Sequence, residues 1–127
     1  MSIERIDHFV LTVSDIERSA AFYEALGLEI QTLGAGRTAL RIGDQKINLH
    51  RAAGEAAAPK AANPKPGSGD FCLVTQDLRA VMARLAVAGL DIIEGPVPRT
   101  GAWGPIMSIY LADPDGNLVE IAEYDRG

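Results

Sequence analysis

The sequence predicts an α+β fold of two tandem βαβββ modules whose mixed sheets curl around a cavity. Three observations point there. An alternating strand followed by a helix start occurs twice, at residues 6–13 before Asp15 and at 69–75 before Asp77. The spacing is constant: 62 residues separate His8 from Asp70, Asp15 from Asp77 and Gly27 from Gly89. Between the copies lies a stretch rich in Ala, Pro, Gly and Lys, which reads as a solvated connector. The expected organisation is one domain of 127 residues, with module 1 over 4–52, the connector over 53–68 and module 2 over 69–125.

In the first module, Ile6, His8, Val10 and Thr12 fall on one face of a strand, and Asp7, Phe9, Leu11 and Val13 on the other. Ser14 and Asp15 offer N-caps. Ile16, Ala20, Tyr23 and Leu26 then recur at helical spacing, and Gly27 supplies the stop. Strands are expected at 28–32, 38–42 and 45–50, with a turn at 33–36 and a hairpin at Gly43 and Asp44. The second module repeats the plan. A strand at 70–75 precedes a helix at 77–88 that buries Leu78, Val81, Met82 and Leu85. Strands follow at 92–97, 106–111 and 118–124, the last two joined by the turn Asp113, Pro114, Asp115, Gly116, Asn117. The closing strands are aligned at an offset of 70 residues, which matches His50 with Glu120. The extra residues of the second half are expected in a loop over 96–104, which carries Arg99 and Trp103 and reads as a lid.

Composition excludes several classes of function. A hydrophobic fraction of 47% supports a packed core. Net charge is −5 without a cluster of Lys and Arg, so nucleic acid is not an expected partner. No apolar run approaches the roughly 20 residues of a membrane-spanning helix. The charged N-terminus runs straight into a strand and does not read as a signal peptide. The single cysteine, Cys72, rules out an internal disulfide and fits a cytoplasmic protein. Between Phe71 and Leu73 it reads as a small core hydrophobe.

Both histidines of the chain fall in the repeated strands. His8 matches Asp70 on the opening strands, and His50 is matched with Glu120 on the closing strands. Imidazole and carboxylate donors suit a divalent first-row metal such as Ni, Zn, Mn, Co or Fe. The lack of thiolate argues against a closed structural zinc site. An open coordination position would let such a metal act as a Lewis acid. His8, His50 and Glu120 are the expected ligands. Asp70 is either the fourth or an outer partner that orients a ligand. Arg41 and Arg99 are candidate substrate contacts, and Trp103 either closes over a ligand or packs on a partner subunit. Tyr110 and Met107 read as core or pocket wall.

At these residues the chain resembles the vicinal oxygen chelate superfamily, which includes glyoxalases, fosfomycin-resistance thiol transferases, extradiol dioxygenases and bleomycin-binding proteins. The opening IDHFVLTVSDIERSAAFYEALGLE and the closing YLADPDGNLVEIAEY carry the resemblance. GDQKINLH and GPVPRTGAWGPIMSIYLADPDGN are similar to its virulence-associated glyoxalase-domain branch. The resemblance implies metal ligands on the first and last strands of each module, hence His8, His50, Asp70 and Glu120. It implies a glyoxalase-type lyase or isomerase that chelates vicinal oxygens and stabilises an oxyanion, with Glu120 as the proton-transferring base. Glutathione or another thiol as cosubstrate, and a homodimer, follow from the same resemblance. Thiol transfer to a fosfomycin-like antibiotic, extradiol dioxygenation and non-enzymatic sequestration of a drug such as bleomycin are the competing expectations. Many relatives carry His, Gln or Glu where this chain has the shorter Asp70.

Overall fold

The computed structural model describes residues 2–52 and 60–125. The connector residues 53–59 lie outside the described residues. The chain divides into two units, Met1–Ser68 and Gly69–Gly127. The first contains β1 (His8–Val13), α1 (Ile16–Leu26), β2 (Glu29–Leu33), a short 3-10 turn (Gly34–Gly36), β3 (Arg37–Ile42) and β4 (Gln45–Arg51). The second contains β5 (Asp70–Val74), α2 (Leu78–Ala88), β6 (Glu94–Thr100), β7 (Pro105–Ala112) and β8 (Leu118–Tyr124).

Each unit is a four-stranded mixed sheet. The spatial orders are β1-β4-β3-β2 and β5-β8-β7-β6. The first and last strands of each module pair in parallel, and the other neighbours are antiparallel. This topology follows from the lengths of the connections. Short turns join the last three strands as hairpins, whereas the first strand is linked to the second by a helix and so can return in parallel beside the last.

The helices start and stop where the sequence says. Asp15 accepts the N–H of Arg18, and Asp77 that of Ala80, each at 3.0 Å. Gly27 and Gly89 end the helices in the left-handed region, with φ of 111° and 73°. One face of each sheet is apolar. Leu11, Val13, Leu40, Ile47 and Leu49 are buried in the first unit with Phe22, Tyr23 and Leu26 of α1. Ile109, Leu111, Val119 and Ile121 are buried in the second with Leu78 and Leu85 of α2. Each such side chain contributes about 1.5–3 kcal/mol of transfer free energy. Val81 and Met82 are only half-buried.

Two expectations are corrected here. The expected loop over 96–104 is largely strand: β6 runs to Thr100 and therefore includes Pro98 and Arg99. Two prolines are tolerated because β6 is the edge strand of its sheet, where a missing N–H need not break a ladder. Only residues 101–104 form the turn into β7. Cys72 is exposed rather than in the core. The alternation that places Phe71 and Leu73 on one face of β5 turns Cys72 to the other.

Candidate functional site

The polar faces of the two sheets carry the candidate residues, and strand register sets which side chains stand side by side. In the second unit Cys72 pairs with Glu120, Glu120 with Tyr110, and Tyr110 with Glu94. One row of side chains across the sheet is therefore Cys72, Glu120, Tyr110 and Glu94. Asp70 pairs with Leu118, one row towards the start of β5. In the first unit the matching row is Val10, Asn48, Ala39 and Gln31. His8, Lys46, Arg41 and Glu29 form the row before it, and Thr12 pairs with His50 in the row after it.

This register corrects the equivalence drawn from sequence. Cys72 corresponds to Val10 at the 62-residue offset, so the partner of Cys72, Glu120, corresponds to the partner of Val10, Asn48. His50 corresponds to Ala122 instead. The closing strands are thus offset by 72 residues rather than 70. The additional residues are spread over three connections and the longer strands β6 and β7, and are not collected in one loop. His50 stands four residues along the β1–β4 pair from His8, roughly 13 Å at strand spacing. Two imidazoles that far apart do not converge readily on one ion. Among the described residues no three His, Cys, Asp or Glu side chains are gathered as a metal-binding group.

The environment of the individual candidates is informative. Glu120 is half-buried, and its Oε2 accepts the hydroxyl of Ser108 at 2.6 Å. Ser108 is fully buried on β7. A short bond from a fixed hydroxyl holds the carboxylate in one orientation, leaving Oε1 for a further partner. His8 is exposed, and its Nδ1 lies 2.7 Å from Oδ2 of Asp7. That bond holds the Asp7 carboxyl below its ordinary range, helped by the charges of His8, Arg5 and Lys46. It also fixes the ring so that Nε2 faces away from Asp7. Histidine backed by a carboxylate, and carboxylate backed by a hydroxyl, are the outer-sphere arrangements that metal ligands use. The donor chemistry of His8, Asp70 and Glu120 thus fits a divalent cation.

Asp70 is exposed at the start of β5. Cys72 is exposed as a residue, but its Sγ lies 3.7 Å from the carbonyl oxygen of Leu73. Desolvation there, together with the negative charge of Glu120, pushes the thiol up to about 11. It is a protonated neighbour of Glu120 near neutral pH.

The remaining candidates are tied down locally. Nε of Arg99 donates to the Tyr110 hydroxyl and Nη2 donates to Oε2 of Glu94, both at 3.1 Å. Its guanidinium stands 5.5 Å from the Tyr110 ring centre. The Tyr110 hydroxyl and Glu94 both favour its charged form. Arg41 donates from Nε to the carbonyl of Gly43 at 3.1 Å. Trp103 is 87% exposed in the turn before β7 and lies 5.3 Å from the Tyr124 ring, tilted by 32°. Ser108, Tyr110 and Asn48 were not singled out from sequence as functional. The signal for the first two was present: polar side chains two apart on an otherwise apolar strand share one face.

A family model described as the glyoxalase/bleomycin resistance protein/dioxygenase superfamily matches residues 5–121. Virulence protein STM3117 of Salmonella typhimurium is 53% identical over 98% of this chain and 87% of its own length. Glyoxalase domain-containing protein RDO1 of Mycosarcoma maydis is 46% identical over 98% of this chain and 70% of its own. The solved structure of an integron cassette protein from the mobile metagenome of Vibrio cholerae superposes with a TM-score of 0.93, at 49% identity over 98% of both chains. More distant relatives are named as an ethylmalonyl-CoA/methylmalonyl-CoA epimerase, a metapyrocatechase, a metallothiol transferase and a bleomycin resistance protein. With its two βαβββ sheets and a match across almost its whole length, the chain belongs to the glyoxalase/bleomycin resistance protein/dioxygenase superfamily, also called the vicinal oxygen chelate superfamily.

Proposed function

We propose that the protein is a divalent-metal-dependent enzyme of glyoxalase type, a lyase or isomerase that moves a proton on a small substrate bearing adjacent oxygens. The observation that carries this reading is Glu120, half-buried on its sheet face and held through one oxygen by buried Ser108. A carboxylate so placed can take and return a proton with its other oxygen without reorienting.

His8, Asp70 and Glu120 are the proposed ligands. His50 leaves the set because register puts it a row beyond the place equivalent to Glu120. The ion, when bound, supplies Lewis-acid stabilisation of a developing oxyanion. Asp7 fixes the tautomer and direction of His8. Tyr110, beside Glu120 in the row, accepts from Arg99 and so directs its own hydroxyl proton towards substrate oxygen. Arg99 is thus a positioning residue for Tyr110. The epimerase name among the relatives is compatible with proton transfer beside a carbonyl. We propose further that the protein acts in the cytoplasm as a homodimer. Edge strand β1 exposes Phe9 and Val10, and edge strand β5 exposes Val74, which a second copy would cover. A monomer by light scattering at micromolar concentration would refute the dimer.

The test is metal content by mass spectrometry, on protein purified without a histidine tag. Wild type is expected to carry a stoichiometric divalent metal. His8→Ala, Asp70→Ala and Glu120→Ala are expected to lose it, and His50→Ala to keep it. Wild type without metal after reconstitution would overturn the proposal in favour of a ligand-sequestering protein.

A further inference from the structure

Among the described residues three side-chain polar atoms are buried without a hydrogen-bond partner: Oγ of Ser19, Oε1 of Gln31 and Oδ1 of Asn48. Ser19 belongs to α1. The other two share one row of the first sheet. Asn48 on β4 pairs with Ala39 on β3, and Ala39 pairs with Gln31 on β2. Both amides therefore rise from one face, on either side of a fully buried alanine. Two strand spacings separate their Cα atoms, roughly 10 Å, so one small molecule can reach both. Buried acceptors without donors are destabilising, and native proteins keep few of them. Two in one row, on the face that carries His8, mark a place where something other than this chain supplies the donors. The equivalent row of the second sheet holds Glu120, Tyr110 and Glu94. Each carboxylate there is matched here by a neutral amide, and the large Tyr110 by Ala39. The row in the first sheet thus keeps acceptors but carries neither charge nor bulk.

We infer that the row of Asn48 and Gln31 is a binding site for an uncharged, hydrogen-bond-donating group of the substrate, a hydroxyl or a primary amide. The inference deepens the proposed function and rests on it, since it takes the face that carries His8 to be the face that carries substrate. An amide oxygen accepts hydrogen bonds and donates none. Two of them favour O–H or N–H and repel the oxygens of a carboxylate or phosphate. The cations of the neighbouring row do not reverse this. Nε of Arg41 donates to the carbonyl of Gly43, and the charge of Lys46 acts on Asp7. The last torsion of an amide side chain is soft, so each oxygen can turn to meet a donor. The unliganded row is then the costly state, and a donating ligand recovers that cost. One row separates these amides from His8, roughly 7 Å along the strands. The recognised group is therefore a close neighbour of the reacting oxygens.

The chain has three asparagines and three glutamines, so few side-chain amide signals appear in proton–nitrogen NMR spectra and each can be assigned by substitution. Full-length protein with its metal content unaltered is titrated with glycolamide, with glycolate, and with methyl methoxyacetate, in which methoxy groups replace the donors of glycolamide. The Asn48 and Gln31 signals are expected to shift saturably with glycolamide and more weakly with glycolate, and not to saturate with the methoxy ester. Asn48→Leu and Gln31→Leu replace each amide by an apolar side chain of similar size. Each should keep or raise the thermal midpoint, because a buried unpaired acceptor is removed, and should weaken glycolamide binding by roughly tenfold. A lowered midpoint in either variant would make the amides structural and overturn the inference. Signals that do not saturate with glycolamide, or tighter binding of glycolate or of the methoxy ester, would also overturn it. Metal content of the same samples separates the two proposals. Loss of metal in Asn48→Leu would overturn the binding row and leave a metal enzyme with a larger ligand set. Absence of metal from wild type with saturable glycolamide shifts would overturn the metal enzyme and leave the row as the site of a ligand-binding protein.

Discussion

The side-chain oxygen of Asn117 accepts the backbone N–H of Gly69 at 2.7 Å, joining the turn before β8 to the residue that leads into β5. The amide nitrogen of the same side chain donates to Oδ2 of Asp113 at 2.7 Å. Oδ1 of Asp113 accepts the backbone N–H groups of Asp115 and Asn117 at 2.9 Å. Asn117 is 1% exposed and Asp113 5%. A turn read in the sequence as a local signal is thus also the clamp that sets where β5, and with it Asp70, begins. Asn117→Ala strands the Gly69 N–H and one Asp113 oxygen. The expected cost is about 2–4 kcal/mol for two buried polar groups left unpaired. Urea denaturation should show a lower midpoint at an unchanged slope. Asn117→Asp keeps the acceptor for Gly69 but sets a carboxylate against Asp113, so it should not rescue.

The two helix caps offer an internal comparison. Asp15 and Asp77 have the same backbone conformation and the same 3.0 Å bond three residues on. Asp15→Ala and Asp77→Ala should each destabilise by about 1 kcal/mol. Asp15→Ser and Asp77→Ser should recover most of that loss. Thermal melts of the four variants check it. Equal losses are expected, since the caps are alike.

These caps show why much of the fold was legible. Alternation, caps and glycine stops are local, and each module repeats them. The misassignment of His50 has a different origin. Sliding one strand by two residues leaves every side chain on the same face, so alternation cannot detect it. Only the pairing of Val10 with Asn48 and of Cys72 with Glu120 reveals that slip. Arg99 was placed in a loop because Pro96, Pro98 and Gly101 read as breakers, and the edge position of β6 that tolerates them is not a local property. Cys72 was read as buried from its apolar neighbours Phe71 and Leu73, which occupy the opposite face.

The thiol of Cys72 supplies a pH prediction. It is pushed up to about 11, first by desolvation and then by Glu120. The folded state therefore holds this proton more firmly than the unfolded chain, whose ordinary value is 9.0. The associated stabilisation is fully present below pH 9 and is lost as pH rises through about 11. Alkylation by iodoacetamide at pH 8 should be slower than for a free cysteine, because little thiolate is present. Glu120→Gln removes the second cause and should move the midpoint of the alkylation profile below that of wild type. An unchanged midpoint would mean that Glu120 and Cys72 do not sense each other.

Gly101 leaves room for the Tyr124 ring. A Cβ there would stand 2.5 Å from the phenol oxygen, 2.9 Å from Cζ and 3.1 Å from Cγ2 of Ile106. The same phenol oxygen accepts the backbone N–H of Trp103 at 3.2 Å, and the two rings are in contact. Gly101→Ala should displace Tyr124 and cost about 1–3 kcal/mol from overpacking. Trp103 is the single tryptophan, so its fluorescence reports the loss of the ring contact directly. Tyr124→Leu in the Gly101→Ala background should recover part of the stability without restoring the wild-type emission.

The last prediction concerns the pair Asp7 and His8. Nδ1 of His8 is held by the Asp7 carboxylate at 2.7 Å, which leaves Nε2 as the donor for a cation. Asp7→Asn keeps the size of the side chain and removes its charge, so the ring loses its charge-assisted partner and a fixed tautomer. Metal affinity, measured by competition with a chromophoric chelator, should fall by roughly 10–100-fold, the usual effect of losing such an outer partner. Ser108→Ala should act similarly through Glu120, whose Oε2 would lose its hydroxyl. A metal affinity unchanged in both would show that His8 and Glu120 are not the ligands, since no other role makes their outer partners indifferent to the ion.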